Sequence, residues 1–441
     1  MKSDTTPNSF VPGAVELPAE MQTAIARRGD AMGPAYRLSY ARPVAFVRGQ
    51  GVWLYDRDGN GYLDFYNNVV SLGHCHPRVV EAMHRQAALL CTNTRYLHDS
   101  VIQYSERLTR LFPAEMSQVM FCCSGSEAND LAFRIARHHT GGEGIIVTEH
   151  AYHGTTHVAS GMSPNLGVSV PLNPNVRTVQ APADCMNISG REQVGRIFAR
   201  DVQNAAADLR RQGIRPAALI VDTLFSSDGV FPDPSGFLAE AVDAIRAAGG
   251  LFIADEVQPG FARTGDAMWG FERHGVVPDI ATLGKPMGNG YPMAGLVVRP
   301  DVVESFGKGA RYFNTFAGNS VAAENGLAVL DVIRDEALLE NSATVGAYLK
   351  SVLTDIADDR IASVRGAGLF VGVEMRVPGG DAGESRDLAL GIVNALRDRR
   401  VLISTTGKYE TVLKIRPPLV TTSVHVDRFM EAFAAVLKET G

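Results

Sequence analysis

From Ser100 onward the chain alternates short apolar runs with longer segments of helical period, and no other feature constrains the fold as tightly. Val119–Cys123, Gly144–Thr148, Ala217–Asp222, Leu251–Val257, Ile280–Leu283 and Ala294–Val298 read as strands. Between them, Glu127–His139 sets Leu131, Ala132, Ile135 and Ala136 on one helical face and stops at Gly141–Gly142. Gly236–Ala248 reads as a second helix, closed by Gly249–Gly250. Alternation of this kind predicts an α/β layer on a mainly parallel sheet.

The flanks read differently. The first roughly 45 residues are irregular or helical, with a helix around Ala19–Arg28. Val52–Tyr55 and Tyr62–Phe65 flank the turn-rich Asp56–Gly61 as a β-hairpin, and Val44, Phe46 and Val47 suggest a further strand. After about Ser320 comes a long amphipathic helix, Val321–Arg334, then strands at Gly368–Glu374 and Val412–Ile415. The expected division is an N-terminal segment over residues 1–65 that packs with the small domain, a large domain over 66–320 and a smaller α/β domain over 321–441. No internal repeat is present.

Composition excludes several classes of function. A chain of 441 residues that is 45% hydrophobic and 20% charged can bury a large core. Its net charge of −6 and the lack of Lys/Arg-rich runs argue against nucleic acid or an anionic membrane as partner. Cys75, Cys91, Cys122, Cys123 and Cys185 are odd in number and irregularly spaced, which suits a reducing, cytoplasmic setting. Met1–Val11 lacks the basic start and apolar core of a signal peptide, and no stretch approaches the roughly 20 apolar residues of a membrane span.

Two segments imitate metal sites. Asp56–Gly61 resembles the opening of a calcium loop, but the twelfth position is Asn67 rather than glutamate and both flanks read as strands. His74–Cys75–His76 has no partner at ligand spacing and runs into Pro77, so it reads as a turn entering a helix at Arg78–Leu90. No metal is expected.

The chemistry lies at strand ends. Ser124–Gly125–Ser126 separates a strand from the helix beginning at Glu127, where backbone N–H groups and the helix dipole favour an anion. Asp255 ends the apolar run Leu251–Ala254, a costly place for a carboxylate unless it is paired. Lys285 follows Ile280–Leu283 between Gly284 and Pro286; a lysine lodged in a cleft can become nucleophile and base. Tyr152–His153–Gly154 puts an aromatic ring and an imidazole at another strand end. A phosphate needs the first of these, a ring nitrogen the second, an aldehyde the third and an aromatic ring the fourth, and pyridoxal 5'-phosphate carries all four groups.

At these residues the chain resembles the class III aminotransferases of the pyridoxal-phosphate family, over about Arg42 to Val420. The resemblance is carried by Ser124–Ala132 (SGSEANDLA), Ala151–Gly154 (AYHG), Asp255–Gly265 (DEVQPGFARTG), Thr282–Gly290 (TLGKPMGNG) and Phe313–Asn319 (FNTFAGN). It implies a fold type I aminotransferase architecture. It also implies that Gly125 and Ser126 hold the cofactor phosphate, Tyr152 stacks on the ring, Asp255 pairs with the ring nitrogen and Val257 packs on the opposite face. Gln258 would lie near the phenolic oxygen and Lys285 would carry the Schiff base. Thr315 is expected to reach the phosphate of the neighbouring subunit's cofactor, which makes the expected assembly a homodimer with shared sites.

Asn93–Asp99 (NTRYLHD), Lys285–Tyr291 (KPMGNGY) and Met268–Ile280 (MWGFERHGVVPDI) are similar to the ethanolamine-phosphate phospho-lyase branch. Many ω-aminotransferases carry a glutamate after the strand corresponding to Ala217–Asp222, where it gates a carboxylate-binding arginine. Here Ser226–Ser227–Asp228–Gly229 occupies that loop, with Ser227 at the gate, and Arg416 is the candidate arginine, left ungated for an anionic substrate. Asp222 stands where glutamate is commoner. Arg95, Tyr96 and His98 are candidate substrate contacts. The expected substrate is a small amine with an anionic group, and the expected reaction is phosphate elimination. A transaminase using pyruvate or 2-oxoglutarate and a non-catalytic cofactor-binding protein remain as alternatives.

Overall fold

A computed structural model describes residues 8–183, 190 and 193–440; Cys185 lies outside the described residues. The apolar runs form one seven-stranded sheet in the order β4-β10-β9-β8-β7-β5-β6. Its strands are β4 (Gln118–Cys122), β5 (Gly144–Thr148), β6 (Val176–Val179), β7 (Pro216–Asp222), β8 (Leu251–Asp255), β9 (Ile280–Leu283) and β10 (Ala294–Val298). β5, β8 and β9 are buried along their whole length, which is why their sequences are apolar without alternation. β10 runs antiparallel to both β4 and β9, and the other pairs are parallel.

Helices cover the sheet. The helix Gly125–Thr140 buries Leu131, Ala132, Ile135 and Ala136, the apolar stripe read from sequence, together with Ala128, and ends on Gly141 in the left-handed conformation. Helices Val194–Arg211 and Ala239–Ala247 bring Val202, Leu209, Val242 and Ile245 into the core cluster that holds Leu219 and Phe252 of the sheet. The second starts three residues later than expected, behind a turn at Gly236. Among the described residues no helix is long and apolar enough to cross a membrane.

Two smaller sheets flank this layer. The hairpin forms as read: β1 (Phe46–Gln50), β2 (Trp53–Asp56) and β3 (Gly61–Asp64) are antiparallel neighbours. Asp56 closes the turn by accepting from the N–H groups of Asp58 and Asn60, so it is spent on the backbone. The short β13 (Val401–Leu402) adds to β3 in parallel, and so joins the two ends of the chain in one sheet. The other sheet has the order β11-β12-β15-β14, all antiparallel, from β11 (Ile361–Ala367), β12 (Phe370–Met375), β14 (Ser404–Thr406) and β15 (Val412–Ile415). His76 precedes the helix Pro77–Leu89, which starts on its proline.

Candidate active site

The parallel strands aim their carboxyl ends at one cleft. Asp222 ends β7, Asp255 ends β8, Lys285 lies two residues beyond β9, and Tyr152–Gly154 follow β5. All of them line the cleft, with Gly125, Ser126, Asn129, Val257 and Gln258.

At the N-terminus of the helix Gly125–Thr140, Ser124 Oγ accepts from Glu127 N, and Glu127 Oε2 accepts from the N–H groups of Cys123 and Ser124. This capping box leaves the next N–H groups facing the cleft. A Cβ at Gly125 would stand 2.9 Å from Val257 Cγ1, and one at Gly284 3.1 Å from the same atom. Both the anion-binding turn and the lysine segment pack closely on Val257, more tightly at Gly125 than at Gly284. Ser126 Oγ accepts from Thr155 N at 3.0 Å, which ties this turn to the Tyr152 loop. Gly154 has a φ of 136°, and a Cβ there would collide with Ser126.

Asp255 is held from several sides. His153 Nδ1 lies 2.7 Å and Asn129 Nδ2 2.9 Å from Oδ2, and Val257 N donates to Oδ1 at 3.1 Å. Thr282 Oγ1 donates to Asn129 Oδ1 at 2.6 Å and thereby fixes which face of the amide meets the carboxylate. Lys285 sits under opposing influences. Burial and the Arg416 guanidinium push its ammonium down to about 8, while Asp255 and Asp222 act in the other direction. Burial, then Asp255, raises the Tyr152 phenol, which stays neutral.

This donor set fits pyridoxal phosphate: a glycine-lined helix N-terminus for a dianion, an aromatic face, a carboxylate locked in one orientation, and a lysine whose neutral form is accessible near neutral pH.

Arg416 stands beside the cleft and is buried. It donates through Nη1 to Gln258 Oε1 and through Nε to the Tyr66 carbonyl at 2.7 Å, and its guanidinium lies 4.5 Å from the centre of the Tyr66 ring. Gln258 in turn donates to Ser226 Oγ at 2.6 Å, and Ser226 Oγ donates to Asp222 Oδ2. Among the described residues no carboxylate bonds the Arg416 side chain. Gln258 holds Arg416, with a neutral amide in the gate's role, and Ser227 makes no hydrogen bond to it. Gln258 thus belongs to both the cofactor cleft and the arginine.

Four expected residues lie outside the cleft: Arg95, Tyr96, Thr315 and His98, whose Nδ1 accepts from Ser100 N at the start of a helix. Arg95 packs over the Phe313 ring at 3.8 Å, and Tyr96 is exposed beside it in sequence; neither lines the cleft. Thr315 is exposed and lines a second cavity with Glu127, Arg134 and Asn314. Sequence reasoning gave no role to Asn129, Thr282 or Ser226. Asn129 falls one helical turn after Gly125, a spacing that puts both on the same face.

The family described as aminotransferase class-III matches residues 36–437, and the chain belongs to it. It is accordingly a pyridoxal-phosphate enzyme. It is 36% identical over 430 residues to the alanine–glyoxylate aminotransferase 2-like protein of Drosophila melanogaster, covering 93% of this chain and 87% of that one. It is 34% identical over 413 residues to ethanolamine-phosphate phospho-lyase homolog 1 of Caenorhabditis elegans, covering 89% and 88%. A solved phospholyase from Arthrobacter, in complex with phosphoethanolamine, superposes with a TM-score of 0.89 at 38% identity, covering 94% of this chain and 99% of that one.

Proposed function

We propose that this enzyme is a phospho-lyase that splits an ethanolamine-phosphate-like amine into aldehyde, ammonia and phosphate. The observation that carries the reading is the setting of Arg416: its hydrogen-bond partners, the Gln258 amide and the Tyr66 carbonyl, are neutral. A buried cation with no carboxylate bonded to it remains able to pair with a substrate anion at every turnover. The solved phospholyase with phosphoethanolamine bound supports the same substrate class.

When bound, the cofactor supplies an electron sink. Asp255, oriented by Asn129 and His153, keeps the pyridine nitrogen protonated. Lys285, as a neutral amine, would remove a proton from the carbon bearing the substrate's amino group. The C–O bond at the neighbouring carbon then breaks, and phosphate leaves with the electron pair toward Arg416. Lys285 returns its proton to the terminal carbon, and one water completes acetaldehyde and ammonia. Gly125 and Ser126 would hold the cofactor phosphate in this reading, Tyr152 and Val257 would flank its ring, and Thr315 would complete the partner subunit's site in a homodimer. The free Cys75, Cys91, Cys122 and Cys123 suit a reducing, cytosolic location.

Incubating holoenzyme with ethanolamine phosphate and no keto acid tests the proposal. Release of inorganic phosphate and acetaldehyde in equal amounts is expected. Turnover only with pyruvate or 2-oxoglutarate, yielding alanine or glutamate, would replace it with the transaminase reading that the Drosophila relative exemplifies. A holoenzyme that processes no amine would be a binding protein.

A further inference from the structure

Lys414 of β15 and Arg416, just beyond that strand, form a pair of cations, and Arg416 bonds Gln258 of the cleft. Side chains alternate along a strand, and Leu413 and Ile415 are fully buried in the core cluster. Lys414 and Arg416 share the opposite face. Phe370 lies under both, its ring centre 5.6 Å from Lys414 Nζ and 6.0 Å from Arg416 Cζ. Each side chain belongs to a residue only 7% exposed. Lys414 stands beside Arg416 over the same Phe370 ring, and the charges of Lys285, Asp222 and Asp228 act on it.

The pairing is unfavourable as it stands. Two like charges on one strand face, both desolvated, repel one another, and burial and Arg416 together hold the Lys414 ammonium well below its usual value. The nearby carboxylates compensate poorly. Asp222 is raised by burial and by Asp255 and already accepts from Ser226 and Leu224, while Asp228 is pushed up to about 7 and accepts from Thr148. Among the described residues no hydrogen bond or salt bridge holds Lys414 Nζ. A buried ammonium left in this state is costly unless an anion visits it.

We infer that Lys414 is the second cation of the substrate-anion subsite, and that Lys414 and Arg416 together select a doubly charged phosphate ester over a singly charged carboxylate. This deepens the phospho-lyase reading and rests on it for the identity of the substrate. Arg416 bonds through Nε and Nη1 to the protein, which leaves Nη2 for the anion. A carboxylate is matched by that one guanidinium. A phosphate ester has three terminal oxygens and a second charge, and Lys414 supplies the counterpart.

The test measures binding to holoenzyme from the change in cofactor absorbance, with O-phosphoethanolamine, β-alanine and propylamine as phosphate, carboxylate and neutral probes. Lys414→Met is expected to weaken O-phosphoethanolamine by at least about 10-fold, the scale of one charged hydrogen bond, with much smaller effects on the other two. Lys414→Arg should restore part of the loss. Equal weakening of all three probes, or unchanged O-phosphoethanolamine binding, overturns the inference. Independently of any variant, inorganic phosphate should compete with O-phosphoethanolamine at least about 10-fold more tightly than acetate does on the unmodified holoenzyme; equal competition overturns it too. The two proposals fail separately. Lys414-dependent binding followed by transamination removes the lyase reading and keeps the subsite, whereas phosphate release indifferent to Lys414 does the reverse.

Discussion

Lys285 is protonated below about pH 8 and neutral above it, because burial and Arg416 outweigh the two aspartates. Only the neutral amine attacks an aldehyde, so capture of pyridoxal phosphate by apoenzyme should accelerate as pH rises through about 8. Arg416→Met removes a depressing charge and should move that midpoint upward; stopped-flow absorbance of cofactor binding reads both, and an unmoved midpoint would show that Arg416 exerts no such influence. Lys285→Ala should leave no cofactor fixed by borohydride and lower turnover by at least about 10²-fold. Residues at strand ends were legible in the sequence because chemistry and position coincide there: Lys285, Asp255, Tyr152 and Gly125 all line the cleft. Asn129 and Lys414 were not, although the spacing was visible. A polar residue on a helix and a lysine on a strand ordinarily mean solvent, and only the packing of other elements reveals that these two are buried.

At the level of the element, the helix Gly125–Thr140 depends on its first turn. Ser124→Ala removes one half of the capping box and should cost about 1 kcal/mol in denaturant unfolding, a loss that Ser124→Asp largely avoids. Gly154→Ala would force a side chain into a backbone shape that disfavours it and against Ser126. Cofactor dissociation should accelerate by about 10-fold or more, with the helix content unchanged by circular dichroism. Most strands and helices announced themselves through apolar runs and periodicity. The reversed direction of β10 did not, since an apolar run reads the same in either direction. β13 and β14 also escaped, because two or three residues carry no period and their pairing is decided by partners as distant in sequence as Leu63.

Across the whole molecule, Tyr96, Leu97 and Phe316 stand exposed, and Thr315 with its neighbours lines a cavity separate from the cleft. Exposed apolar side chains beside an expected shared-site residue are what a homodimer would cover. Phe316→Asp should shift the enzyme toward monomer in sedimentation and release cofactor with it; a dimer that persists with full cofactor would place the interface elsewhere. The cleft lies at the strand ends of the seven-stranded sheet, whereas Lys414 of the proposed anion subsite belongs to β15 of another. The groups proposed to grip the cofactor and those proposed to choose the substrate therefore sit on different sheets, joined through Gln258 and the charge of Arg416. Mutations on one short strand can redirect the enzyme to a new leaving group while the machinery that breaks the C–H bond is inherited intact, which makes it intelligible that relatives at 36% and 34% identity carry names from two different reactions.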